Sequence, residues 1–472
     1  MKKIAYILPL LAATFFATAC DDNDYREPTS IVDNYINEHR QLLISSELGW
    51  RLDYYPNQEN GAFNFLMKFR EDGRVEMLTD ENFFHLFEED ADKVYEKQES
   101  DYTIQNSQGP VLTFATYSLL TKLADPELFN NGSGWQGENE FVLMGHSEYG
   151  DTIYLKSVKA QRRCLLIKNH TEWDEYFDRL NTVIRDFECA NASNNYFRDI
   201  LINGEEPAVL TGVNMTSRMG VIYQNRQGKL DADSCRLLFT GEGVVLDRPV
   251  KIGNTRVTCF THDESGIFYV NEDENSTLAV AEKGRPKMTF VVRDNLFLGT
   301  YEVVKDGVTL EETDLYFINT NPTTSDDEWV TLYDALEEYL YMVLLPDDEA
   351  NYYVDLYDQR VDANGQVNVA LARCGFTYQW SNTEEDEITF RGVSNDMYFY
   401  GTDSETGDYE ANTPLALEFS KVVKKPYAAY LNSLFGSSRN RIECVVVPSP
   451  DGQYYYFVNK KDGTTLSIMK ID

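Results

Sequence analysis

The sequence predicts a mainly β chain with a few helices, an α+β fold. An N-terminal antiparallel meander or β-barrel leads into a larger β-rich domain. Three observations predict it. Short runs of alternating apolar and polar residues recur through most of the chain, parted by turns rich in Gly, Asn and Asp. Tyrosine (31) and phenylalanine (26) are abundant, and aromatic side chains favour strands. Hydrophobic residues are 42 % of 472, enough to fill two or three cores, which excludes a disordered chain.

The first element is not β. Lys2 and Lys3 open a basic start, and residues 4–16 are an uncharged apolar run too short to span a bilayer. Small residues, Ala17-Thr18-Ala19, then lead into Cys20. A segment of this form resembles the signal of bacterial lipoproteins. The resemblance implies that residues 1–19 are removed and that Cys20 is acylated, holding the mature chain to the membrane. Residues 20–30 read as a tether. Its Asp21, Asp22 and Asp24 resemble the export signal of Bacteroidetes lipoproteins that reach the cell surface. The expected location is therefore the outer membrane, on the cell surface, with the periplasmic face as the alternative. No later segment is long and apolar enough to cross a membrane.

A helix is expected over 31–48, where Ile31, Tyr35, Leu42 and Leu43 fall near helical spacing and Gly49 stops it. Eight strands are expected next: 50–55, 62–69, 74–78, 101–105, 111–117, 140–143, 152–156 and 164–168. The Asp72-Gly73 pair marks a hairpin. Short connections between so many strands suggest a meander or barrel. Residues 119–125 read as a helical turn, and 130–137 as a Gly/Asn loop that carries Trp135. A second long helix, 171–189, places Trp173, Phe177, Leu180 and Ile184 on one face and closes the first domain, 31–189.

The second domain, 190–472, resumes with strands at 235–239, 256–260, 266–270, 288–292 and 301–304. A helix over 326–345 is expected from the Ser325 cap and the Pro346 stop. Another over 426–435 would open at Pro426 and end at Gly436. Two last strands, 442–447 and 453–459, flank a Pro-Ser-Pro-Asp-Gly turn. Residues 141–158 align without a gap on 376–393. Phe141 and Asp151 match Phe376 and Asp386, and Ile153, Leu155, Lys156 and Val158 match Ile388, Phe390, Arg391 and Val393. The second domain therefore reads as an enlarged copy of the first.

Several stretches carry a family resemblance: Leu48-Gly49-Trp50, Tyr54-Tyr55-Pro56, 61–69, 108–114 and Leu123-Ala124-Asp125-Pro126. With the lipoprotein start, they resemble the Bacteroidetes lipoprotein family called domain of unknown function 4302, over most of the mature chain. Such lipoproteins tend to be encoded near SusC/SusD-type uptake pairs. The resemblance implies a surface accessory role in nutrient capture, beside a TonB-dependent transporter and a SusD-like partner. It brings no catalytic residues. The Gly49-Trp50 start before a meander also resembles lipocalin-like barrels, a likeness of fold alone.

The chemistry is mostly defined by exclusion. A net charge of −36 repels nucleic acid and anionic lipid. No HExxH, GxSxG or GxxxxGK[ST] motif occurs, and the five histidines are far apart. Six cysteines follow Cys20 without metal spacing, mostly inside strand-like runs where free buried thiols fit as well as disulfides. No catalytic residue, metal or cofactor is assigned, and a non-enzymatic protein is expected. The acidic loops 271–275 and 403–410 carry oxygen ligands that suit calcium, but neither fits the EF-hand spacing, and both read first as polar turns. The binding candidates are Trp135, Tyr54, Tyr55 and Trp50. Trp135 leads, because a large ring in a Gly-rich loop is hard to bury, whereas Trp50 better suits a barrel core. The expected function is non-covalent capture of a ligand or partner. A structural or adhesive surface protein is the alternative. A polymer-degrading hydrolase ranks third, since it would need two carboxylates about 5–10 Å apart.

Overall fold

The computed structural model describes residues 28–471 apart from 81–82, 84–96, 108, 127–133, 189–195, 294–295, 297–299, 306–307, 310–339, 347–351, 362–366, 403–407 and 438. It divides into two compact units, Met1–Asp178 and Arg179–Asp472. The division falls inside a helix, α3 (Trp173–Glu188), short of the boundary expected at 189. Among the described residues no helix is long and apolar enough to cross a membrane.

The first unit is the expected barrel. α1 (Pro28–Ile44) precedes β1 (Trp50–Tyr54), β2 (Phe63–Phe69), β3 (Arg74–Thr79), β4 (Gln98–Asn106) and β5 (Pro110–Phe114). The one-turn α2 (Leu119–Lys122) then leads to β6 (Glu140–His146), β7 (Thr152–Ser157) and β8 (Arg163–Lys168). Each strand pairs with the next, and β1 also pairs with β8, so the sheet closes. Closure sends alternate residues inward. Trp50, Leu52 and Tyr54, Phe65, Met67 and Phe69, then Leu112 and Phe114 fill one core. α1 ends at Ile44, earlier than expected. It buries Ile36, His39 and Leu43 and leaves Ile31 exposed, so the packed stripe is rotated from the expected one. Two indole N–H groups pin the turn after it. Trp50 Nε1 donates to Leu43 O (2.8 Å) and Trp173 Nε1 to Leu48 O (2.8 Å). Gly49 sits between them at φ +76°, with a Cβ there lying 2.4 Å from Met67 O.

The second unit holds two sheets. β9 (Phe197–Ile202), β10 (Glu205–Asn214), β11 (Met219–Arg226), β12 (Lys229–Thr240), β13 (Gly243–Ile252), β14 (Thr255–His262), β15 (Phe268–Val270) and β16 (Asp273–Val280) form a second closed barrel, β9 pairing with β16. The third sheet runs from β17 (Thr300–Lys305), with its side strand β18 (Val308–Thr309), through β19 (Leu340–Pro346), β20 (Tyr352–Val361), β21 (Val367–Trp380) and β22 (Glu387–Thr402). A short β23 (Tyr409–Ala411) pairs on β22, and β24 (Ile442–Pro448), β25 (Tyr454–Asn459) and β26 (Thr465–Ile471) complete it. Because β17 pairs with both β19 and β26, this sheet also returns on itself.

Four expectations for this unit need correction. Residues 340–345 are not helical: they form β19, in continuous register with 352–358, while 326–339 lie outside the described residues. Residues 288–292 bury Met288, Phe290 and Val292 in alternation yet form no strand, because the Asp386 carboxylate, not a neighbouring strand, accepts the Phe290 N–H (3.1 Å). The last helix, α4 (Pro414–Phe435), starts twelve residues before Pro426. Thr413 Oγ1 caps it by accepting the Ala416 N–H (3.1 Å), and it ends at Gly436 as expected. A proline inside a helix costs about 3 kcal/mol. The unbroken buried stripe Phe419, Val423, Tyr427, Leu431 and Phe435 outweighs that, at roughly 1.5–3 kcal/mol for each side chain. Finally, 376–393 is the β21–β22 hairpin of the third sheet, whereas 141–158 is β6–β7 of the first barrel. The alignment marks two alternating hairpins in different places, and the second unit is a barrel plus a further sheet instead of one enlarged copy.

An ion cluster ties the segment after β16 to the third sheet. Arg285 Nη2 meets Glu384 (2.6 Å) and Asp386 (3.0 Å), its Nε meets Glu387 (2.7 Å), and Lys460 Nζ joins at Glu387 (2.9 Å). Asp386 is fully buried. Burial pushes its carboxyl up to about 6, with the Phe290 N–H and Arg285 opposing the rise.

Two predictions follow from this packing. Gly49→Ala should cost about 2 kcal/mol or more, from left-handed strain and the collision with Met67 O, read as a lower urea midpoint. An unchanged midpoint would mean that the turn is slack. Asp386 holds its proton more tightly folded than unfolded. Its contribution to stability is therefore fully present below about pH 4 and falls by roughly 3 kcal/mol as pH rises through 6. Asp386→Asn should remove that slope. The difference in unfolding free energy between wild type and variant should change from pH 4 to 6.5 and level off outside that window.

Candidate functional site

The structure places three of the aromatic candidates inside the first barrel. Trp50 and Tyr54 point inward from β1 and are fully buried. The Tyr54 hydroxyl accepts the Glu138 N–H (3.0 Å), its ring meets Phe141 edge-on at 5.3 Å, and burial pushes its pKa up. Trp135 was expected at the surface and is 1 % exposed. Gly134, at φ +58°, lets the backbone pass so close to Asp125 that a Cβ would lie 2.2 Å from its carbonyl oxygen. That fold brings the indole back over Phe63, stacked at 5.2 Å and 28°. The turn at Gly134 is tight where the sequence suggested an open loop, so Trp135 is core and offers no free face to a ligand. Tyr55 is half-buried, and Cys20 lies outside the described residues.

The other polar candidates are also absorbed by the fold. Asp273 accepts the Asn275 N–H (3.1 Å) and the Ser276 hydroxyl (2.7 Å), which makes 271–275 a polar turn; 403–407 lie outside the described residues. The five described cysteines are free thiols, and burial pushes Cys164 and Cys235 up to about 12, far from a reactive thiolate.

A cavity of about 410 Å³ lies elsewhere, in the second unit, between the outer wall of the second barrel and the third sheet. Its size is that of small-molecule sites, about 300–1,000 Å³. The barrel contributes Tyr196, Thr211, Val221 and Tyr223; the third sheet contributes Val447, Tyr456, Thr465 and Ser467. Strand alternation explains the faces. On β10, Ala208 and Leu210 alternate with Val209 and Thr211, and Val209 packs in one cluster with Val445 and Val447 of the third sheet. Register pairs Val447 with Tyr456 and Tyr456 with Ser467, so all three share the face that looks onto the barrel. Tyr223 props the two sheets. Its ring meets Phe290 edge-on at 5.1 Å and its hydroxyl donates to Pro448 O.

Two features set this cavity apart. All of its lining residues are uncharged, in a chain of net charge −36. The hydroxyl oxygens of Thr211 and Ser467 are buried without a hydrogen-bond partner. Each residue is 1 % exposed, and a buried unpaired hydroxyl costs about 1–3 kcal/mol. Tyr456, half-buried, stacks on Tyr454 at 6.4 Å and 12°. The nearby Asp451 is occupied by the Ser449 hydroxyl (2.5 Å) and the Gln453 N–H (3.1 Å). A larger cavity of about 700 Å³ beside α4 mixes Arg441, Glu443, Lys460, Lys461 and Asp462, charges of both signs that select no one chemistry.

Sequence reasoning missed this site. Tyr454-Tyr455-Tyr456 was legible as a strand, and alternation puts Tyr454 and Tyr456 on one face. What that face meets depends on β26, absent from the sequence reading, and on a barrel wall more than two hundred residues earlier.

No curated protein matches the chain. A family model does: residues 25–264 match the domain of unknown function DUF4302, from just before α1 through β14, ending inside the second barrel and short of the third sheet. The match spans about half of the chain, less than the resemblance implied, but it includes all five stretches from 48 to 126 that carried that resemblance, and the protein belongs to the DUF4302 family.

Proposed function

We propose that the mature chain is a lipid-anchored binding protein of the bacterial outer membrane, held through Cys20, that captures a ligand non-covalently for an uptake transporter. The observation that carries the capture role is the uncharged, tyrosine-lined cavity on the second barrel wall. Its lining has no carboxylate, imidazole or thiol, and it offers apolar surface and hydroxyl groups for binding. The signal ending on Cys20 supports the anchor, and the acidic tether after it supports display at the cell surface. The acidic balance keeps such a protein soluble above an anionic membrane.

Two measurements test this function. Wild-type protein should partition into detergent, and Cys20→Ser should move it to the aqueous phase; wild type in the aqueous phase would remove the anchor. Affinity purification of the tagged full-length protein from its native outer membrane should bring a TonB-dependent barrel and its lid lipoprotein in stoichiometric amount. Recovery of the protein alone would remove the uptake role.

A further inference from the structure

Taking that cavity as the ligand site, we propose that it holds a pyranose ring of an uncharged oligosaccharide, stacked on Tyr456 and hydrogen-bonded by Thr211 and Ser467. The lining narrows the chemistry by elimination. An anion would meet the repulsion of the whole chain and find no Lys or Arg in the lining. A cation would find no carboxylate there. A wholly apolar ligand would leave the hydroxyls of Thr211 and Ser467 buried and unpaired. An extended peptide that binds by strand addition needs a free strand edge, and no such edge is present here. β10 pairs with β9 and β11, β25 with β24 and β26, and β26 with β25 and β17, so these ladders are already paired on both sides.

The remaining class carries both an apolar face and groups that donate and accept. A pyranose has a face of C–H bonds that lies on an aromatic ring, and hydroxyls around its edge that act as donor or acceptor. Tyr456 supplies a half-buried ring, with Tyr454 stacked behind it. Thr211 comes from the barrel side and Ser467 from the sheet side, and a hydroxyl on either wall can match a sugar hydroxyl in whichever sense it is offered. Tyr223 is not free for this purpose, since its hydroxyl is bound to Pro448 O.

The test uses the full mature chain on an array of neutral oligosaccharides, their uronate- and sulfate-bearing counterparts, and uncharged tetrapeptides. Binding is expected to neutral oligosaccharides alone. Tyr456→Ala should weaken it by about tenfold or more through loss of the stacking face. Ser467→Ala should weaken it by about fivefold through loss of one neutral hydrogen bond. A purely structural Ser467 would instead show in stability: because its hydroxyl has no partner, Ser467→Ala should leave the unliganded melting temperature unchanged or raised. Binding of acidic glycans or peptides that depends on Tyr456 would overturn the ligand class and leave the site. Neutral binding indifferent to both variants would overturn the site, and no binding on the array would overturn the proposal. A transporter recovered from the native membrane alongside a silent array separates this failure from that of the uptake role.

Discussion

Three strand pairings between residues far apart in sequence hold the architecture together: β1 with β8, β9 with β16, and β17 with β26. Each joins the two ends of a meander, so those end strands pair on both sides within the chain; in the third sheet, among the described residues, only the short side strands β18 and β23 pair on one side. Closure also decides where the aromatic side chains go. A closed sheet has an inside, and alternation delivers every second residue to it. In the first barrel that inside takes Trp50, Tyr54, Phe65 and Phe114, with Trp135 folded over Phe63. Rings committed to a core of this kind stabilise the fold and are unavailable to a ligand.

On the proposed reading, recognition takes place on an outer wall instead. In the second unit one outer wall is itself covered, because Arg285, Asp386 and Glu387 pin the segment after β16 to β22 while Tyr223 bonds across to β24. The space left between the two sheets is the tyrosine-lined cavity. The charges doing the holding lie in a cluster apart from the cavity's lining, which is uncharged. Structure and candidate site therefore use different chemistry: ion pairs and a buried carboxyl fix the geometry, and uncharged residues line the space.

Local signals made most of the fold legible. Alternation located all eight strands of the first barrel to within a few residues, and helical spacing located α3. The failures were places where tertiary burial overrode a local rule. Pro426 reads as a helix start, yet the stripe from Phe419 to Phe435 carries α4 straight through it. Residues 340–345 read as a helix, but ladder pairing with β20 makes them a strand. Met288, Phe290 and Val292 alternate as a strand would, but the Phe290 N–H goes to Asp386 and not to a neighbouring strand. The candidate site fared worse, since a ring in a Gly-rich loop looks exposed until the left-handed Gly134 turns it inward.

By itself the sequence determined the fold class, the order of the first barrel's strands and the family. These follow from periodicity and local motif, which depend on neighbours a few residues apart. Only the tertiary structure decided that there are three closing sheets, that Trp135 is core, and that Thr211 and Tyr456 share one cavity. Those depend on which distant strand completes a ladder and which face then meets another wall. Both are settled by hydrogen-bond closure and burial summed over the whole unit, a quantity that no short window of residues contains.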